Sequence, residues 1–494
     1  MIKNLSLTLA LLTSIIVAQD IGANQQTPKA PVSILAPCDL PEISGKAQCG
    51  SYEVFEDRAS GKGRKISIRI VVLPATGNER APDPLVYIAG GPGSSAVEDA
   101  SDIAQLFAKV RERRDLLFID QRGTGGSNPL NCELFKASDL QSYLGYFFPL
   151  DAVRQCREQL EPRANLALYT TLIAAEDLDE IRAALGYEQL NLFGASYGTR
   201  AALVYLRQHP KHVRTATLMG VAPTYQFMPR NFAQDMERAL KGVMAECAAD
   251  ESCNRAFPKL RAETDAVLQQ LLKGPVEVVV TRPGANGSPP NRATVKLSRD
   301  LAAEAVRYML YNPVAASQVP LFIHLAAQGD FGPLAEAALR YRRGIVSSGS
   351  NGLYLSITCA EDLPWIAPGD GERLAANTFL GDYRLQQQRE ACALWPRASI
   401  PADYREPVRS SAPVLILTGE WDPVTPPSNG EAAARHLTNS LHVIVPHGAH
   451  GFGGLEGIDC LERLSTEFID RGTVKELDTS CVKKIRRKGF ALKK

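Results

Sequence analysis

The sequence predicts an α/β fold, with a mostly parallel central sheet, helices on both faces and a large, mainly helical insertion. Three observations carry this prediction. Continuous apolar runs at residues 85–89, 115–120 and 190–195 end on glycine-rich turns, as parallel strands covered on both faces do. Helix-like segments alternate with them, which implies crossover connections. From residue 223 to about 413 the strand rhythm stops, and it resumes at residues 414–419 and 441–445. A stretch of that length is too long for a connection between neighbouring strands, so it reads as an inserted subdomain.

The elements follow in order. Residues 50–56 and 65–72 alternate and are rich in β-branched or aromatic residues, so they form an antiparallel pair at a sheet edge. The buried strand 85–89 runs into Gly90-Gly91-Pro92-Gly93. A helix around residues 103–110 precedes the strand 115–120 and the turn Gln121-Arg122-Gly123-Thr124-Gly125. A loop-rich segment carries Cys132 and Cys156, and a helix at 172–185 stops at Gly186. The strand 190–195 and a helix at 201–206, stopped near Pro210, lead to a strand at 215–221. The insertion reads as helical at 232–247, 257–272 and 298–310, with one β-like run at 276–281. The expected division is residues 24–222 for the first part of the core, 223–412 for the cap and 413–494 for the second part.

The 494 residues exceed one typical domain of about 100–200 residues. Hydrophobic content of 45%, charged content of 22% and a net charge of +1 describe a globular chain with no reason to bind nucleic acid. The basic stretch 483–488 reads as a solvated terminal segment. Lys3, the apolar run 5–18 and small residues at Ala18, Gly22 and Ala23 read as a signal peptide over residues 1–23, too short for stable membrane insertion. The chain is therefore expected to be exported, to a periplasm or the medium. Ten cysteines in locally spaced pairs agree, since an even count in an exported protein favours disulfides. Sequential pairing is expected, although spacing does not fix connectivity. Metal binding is the poorer reading, with no Cys-x2-Cys pair and only seven histidines.

Gly194-Ala195-Ser196-Tyr197-Gly198 sits between a strand and a helix, which is the setting of a nucleophile elbow. A neutral Ser hydroxyl needs an imidazole to take its proton, and an acid to orient that imidazole. Asp422 lies just beyond the strand 414–419 and His450 just beyond the strand 441–445, giving the order Ser196, Asp422, His450. Glu420 competes as the acid but sits closer to its strand. His447 competes as the base, yet Gly448 and Gly451 let the loop bend at His450. The oxyanion hole needs two backbone N–H groups; Tyr197, after the nucleophile, and Gly91, in the loop after residues 85–89, are the candidates, because Pro92 has none to offer.

Gly90-Gly91-Pro92-Gly93, Asp120 to Gly125, the elbow and the Asp422/His450 tail together resemble the α/β-hydrolase serine peptidases, and among them the prolyl iminopeptidase and tripeptidyl aminopeptidase family, especially its secreted tripeptidyl aminopeptidase-like branch. Ala89 stands where many members carry His, which bears on prolyl specificity and leaves the backbone role of the loop intact. The resemblance implies hydrolysis near a free peptide N-terminus with no metal or cofactor. It implies an anchor for the substrate ammonium, and Thr358-Cys359-Ala360-Glu361-Asp362 looks like a cap motif that supplies one through Glu361 and Asp362. Two other functions share this framework: a carboxylic-ester hydrolase, either esterase or lipase, using the same triad, and a catalytically silent binding protein.

Overall fold

The computed structural model describes residues 34–40, 43, 46–136, 138–282 and 291–493; the expected signal peptide, residues 1–23, lies outside them. Its strands are β1 (Leu35–Cys38), β2 (Ala47–Phe55), β3 (Lys65–Leu73), β4 (Leu85–Ile88), β5 (Leu116–Ile119), β6 (Leu190–Ala195), β7 (Val213–Met219), β8 (Val276–Arg282), β9 (Asn291–Leu297), β10 (Val414–Gly419) and β11 (Ser440–Val445). Nine of them form one sheet in the order β1-β2-β3-β5-β4-β6-β7-β10-β11. β1, β2 and β3 are antiparallel at one edge, and β5 through β11 run parallel in that order.

The apolar runs explain why this sheet is buried on both faces. Val86, Leu117, Leu192 and Ile416 point to one face, under helices Thr171–Ala184 and Tyr197–Gln208. Tyr87, Phe118, Phe193 and Leu415 point to the other, where Leu461, Leu464 and Phe468 of helix Asp459–Arg471 pack. Each fully buried side chain of this size contributes about 1.5–3 kcal/mol.

Between β7 and β10 the chain forms helices Phe232–Ala249, Leu260–Leu272, Arg299–Met309, Gly332–Ser348 and Tyr383–Ala393, with the hairpin of β8 and β9 among them. The β-like run at 276–281 thus has an antiparallel partner that the sequence reading passed over. Residues 132–156 are less irregular than expected, since helix Leu150–Leu160 begins there. All ten cysteines are paired, Cys38–Cys49, Cys132–Cys156, Cys247–Cys253, Cys359–Cys392 and Cys460–Cys481, each with its neighbour in sequence. Among the described residues no helix is long and apolar enough to cross a membrane.

Candidate active site

Ser196 stands between β6 and helix Tyr197–Gln208 with φ 55° and ψ −125°, a conformation that side chains other than Gly rarely adopt. Its N–H donates to Met219 O at 2.9 Å, and the Thr199 N–H and hydroxyl donate to Ser196 O at 2.9 and 2.6 Å. A Cβ on Gly194 would lie 2.6 Å from Gly198 O, and one on Gly198 would lie 2.0 Å from Ile88 O. Contacts that short are prohibitive, so the two glycines of the pentapeptide are set by the close approach of β6, its helix and β4.

Asp422 follows β10 and is fully buried. Its Oδ1 accepts from the N–H groups of Val424 and Thr425, both at 2.8 Å, and its Oδ2 accepts from the Thr425 hydroxyl at 2.7 Å. His450 Nδ1 lies 2.9 Å from that same Oδ2. Burial pushes the Asp422 carboxyl up, but His450 and the Thr425 donors outweigh it and hold it below the usual carboxylate range. Arg238 clamps the loop by donating to the backbone oxygens of Glu420 and Asp422, at 2.6 Å each. The competing residues are engaged elsewhere: Glu420 accepts from the His447 N–H at 3.0 Å, and His447 Nδ1 lies 2.7 Å from Glu246 Oε1.

Two residues of this arrangement carried no usable sequence signal. Thr425, three residues after Asp422, reads as an ordinary turn cap. Tyr311 comes from the inserted segment; its ring meets His450 edge-on at 5.0 Å and its carbonyl accepts from the Gly451 N–H at 2.9 Å. The segment between β7 and β10 thus holds the loop that carries His450.

Gly91 has φ 108° and lines the same cavity as Ser196 and His450. Tyr197 is the first residue of its helix, where a backbone N–H has no partner within the helix. These placements fit the expected roles of both. The Gly90–Gly93 loop is braced from two sides. Asp120 accepts from the Ser95 hydroxyl at 2.6 Å, from the Val97 N–H at 3.1 Å and from the Gly126 N–H at 2.9 Å, while the Ser350 N–H donates to Gly93 O at 2.9 Å.

The expected ammonium anchor is corrected by the structure. Glu361 and Asp362 are fully buried and absent from the described cavity wall. Glu361 accepts from the Thr171 N–H and hydroxyl at 2.7 Å each and from the Tyr404 hydroxyl at 2.5 Å. Asp362 accepts from Arg200 Nη1 at 2.9 Å and from the Met228 N–H at 3.1 Å. The sequence showed two adjacent acids beside a disulfide, but not that the elbow helix holds the cation that Asp362 pairs with. Asp362 ties the elbow helix through Arg200, and Glu361 ties helix Thr171–Ala184 and Tyr404.

The cavity beside Ser196 measures about 640 Å³, within the range of small-molecule and peptide sites. Phe147, Phe148, Phe232, Tyr308, Tyr341 and Tyr354 line it together with Arg307, Arg340 and Arg384. No carboxylate stands among the described lining residues. Two clusters elsewhere, Asp179/His209/His212 and Glu246/Glu420/His447, bring three ligand-type atoms within 4.8 Å of one another. Both are already knitted by internal partners, Arg182 and Tyr205 on Asp179, Trp421 and Arg487 on Glu246.

Comparison with known proteins follows the same lines. A family described as alpha/beta hydrolase fold matches residues 83–289, and one described as TAP-like protein matches residues 377–481. The chain is 26% identical to serine protease Hip1 of Mycobacterium tuberculosis, over 89% of this chain and 88% of that one. It is 28% identical to a tripeptidyl aminopeptidase of Streptomyces coelicolor, over 86% and 81%. It is 26% identical to a carboxylesterase B of Mycobacterium tuberculosis, over 94% and 93%. Among solved structures, a proline iminopeptidase of Mycobacterium smegmatis aligns at TM-score 0.41 and 14% identity, covering 86% of this chain and 98% of that one.

Proposed function

The chain is an α/β hydrolase with a TAP-like C-terminal part, and from that premise we propose that it is an exported serine aminopeptidase working through an acyl-enzyme on Ser196. The observation that carries the mechanism is the 2.9 Å contact between Asp422 and His450 at the cavity that Ser196 lines. His450 takes the Ser196 proton as Oγ attacks the scissile carbonyl, and Asp422 orients the ring and stabilises its charged form. The N–H groups of Tyr197 and Gly91 receive the developing oxyanion. His450 then protonates the leaving amine, and water, deprotonated by the same ring, releases the acyl group.

Peptide as the substrate class rests on the relatives named as a serine protease and a tripeptidyl aminopeptidase. The helical segment at 223–412 acts as a cap that limits how much of a peptide enters. Export rests on the expected leader together with the five disulfides, which persist in oxidising compartments. Tripeptidyl amides with a free amine, compared with N-acetylated versions, test the reading: hydrolysis of the blocked substrates as fast as the free ones would overturn it.

A second reading, a carboxylic-ester hydrolase, is favoured by two observations. The described cavity wall offers no carboxylate to an ammonium group, and one relative of similar identity is named a carboxylesterase. Nitrophenyl esters run beside the peptides separate the two.

A further inference from the structure

The cap buries more positive charge around this cavity than it neutralises. Arg307, Arg342 and Arg384 are each at most 3% exposed, and Glu304, equally buried, is the acid they face. Glu304 Oε1 lies 3.5 Å from Arg307 Nη1 and 3.7 Å from Arg384 Nε, contacts too long for good hydrogen bonds. Arg342 turns away, donating to the backbone oxygens of Tyr143 and Gly145 at 3.2 Å each. Arg307 and Arg384 line the cavity. Arg307 reaches the Tyr311 hydroxyl at 2.7 Å, and Arg384 the Tyr354 hydroxyl at 3.2 Å. Of their remaining nitrogens, Arg307 Nε and Arg384 Nε and Nη1 are buried without a hydrogen-bond partner, as are both carboxylate oxygens of Glu304.

Buried guanidinium groups are costly unless paired and hydrogen-bonded, and aromatic faces give only partial compensation. Arg384 sits 3.8 Å above the Phe147 ring centroid and Arg307 4.1 Å above that of Phe232, so both planes are held rigidly, each with donors left over beyond its tyrosine. A fixed, dry guanidinium with spare donors beside a cavity is the arrangement that binds a carboxylate well. Exposed Arg340, also on the cavity wall, adds attraction for an anion approaching from solvent.

We propose that this cavity selects substrates that carry a carboxylate on the portion it encloses, held by Arg307 and Arg384. Resting on the aminopeptidase reading, that portion is the segment released from the N-terminus, and the carboxylate is an Asp or Glu side chain within it. On the ester reading it is the distal carboxylate of a dicarboxylic acid monoester. Tyr311 links the subsite to the catalytic base, because it touches both Arg307 and His450.

The test uses the full mature chain and three free-amino tripeptidyl coumarin amides per position, with Glu, Gln or Lys placed first, second or third. A parallel arm compares the nitrophenyl monoester of glutaric acid with the nitrophenyl ester of pentanoic acid. The expected result is a kcat/KM for Glu at one position at least about tenfold above Gln and further above Lys, the scale of a charge-assisted hydrogen bond. Arg384→Met should abolish that preference, and Arg340→Gln, a surface change that does not threaten folding, should weaken it and its salt dependence. Equal rates for Glu and Gln at every position in an enzyme that cleaves the peptides would overturn the proposal. If no peptide is cleaved, the aminopeptidase reading fails, and the ester arm decides: glutarate favoured over pentanoate supports the subsite, equality overturns it.

Discussion

Arg200, one turn past Ser196, donates to Asp362 of the segment between β7 and β10 at 2.9 Å, with both side chains fully buried. Helix Tyr197–Gln208 is therefore tied to that segment by an ion pair formed away from the cavity. Arg200 also donates to Gln226 O at 2.6 Å. Arg200→Met removes the cation and leaves Asp362 and Glu361 buried without it. Loss of one partner of such a pair costs about 3–5 kcal/mol, readable by chemical denaturation at pH 7.5. Burial pushes Asp362 up to about 6 while Arg200 draws it down, so the variant's carboxyl is raised further. A raised folded-state value means stability that is present at low pH and lost as pH rises through it. The gap between wild type and variant is therefore wider at pH 7.5 than at pH 5; a constant gap would refute the coupling.

Asp422→Asn should lower kcat by about four orders of magnitude while changing KM little, because the ring of His450 loses its orienting anion. Stability offers a second readout. The Asp422 carboxyl is held below its ordinary value in the folded protein, so its contribution is fully present at neutral pH and disappears as pH falls through that depressed value. The stability advantage of wild type over the variant should thus stay constant through the neutral range and shrink only as pH falls below the ordinary carboxylate range.

Asp120→Ala releases Ser95, Val97 and Gly126 together, the three donors that fix the loop after Gly93. If Gly91 supplies an oxyanion donor, kcat should fall by about 10- to 100-fold with the fold retained by circular dichroism. Unchanged kcat in a folded variant would remove Gly91 from the mechanism.

The Cys359–Cys392 bridge closes a loop with a sequence separation of 33 and lies one residue from the fully buried Thr358 and two from Glu361. Replacing both cysteines by Ser should cost about 4 kcal/mol on the chain-entropy account. A thermal shift experiment on the oxidised and doubly substituted proteins measures it.

The core was legible because its strands are short apolar runs closed by glycines, a pattern that survives without tertiary information. The pairing of Asp422 with His450 was legible because this sheet places both at strand ends in a fixed order. Glu361 and Asp362 misled, because two adjacent acids look the same in sequence whether they face a cavity or Arg200. Tyr311, Arg307 and Arg384 were invisible for the opposite reason: Arg307 and Arg384 sit on helices with ordinary spacing, Tyr311 lies in the turn after the first of these helices, and only packing brings them to His450 or the cavity. β9 was passed over because its alternation is short and lies within a helical neighbourhood.

The central claim is that Ser196 is the acylated nucleophile. Wild-type protein treated with a fluorophosphonate should gain one adduct by intact mass, located on the peptide carrying Ser196, and Ser196→Ala should neither label nor turn over substrate. A wild-type protein that stays unlabelled, or a Ser196→Ala variant that retains near-wild-type kcat, would contradict it.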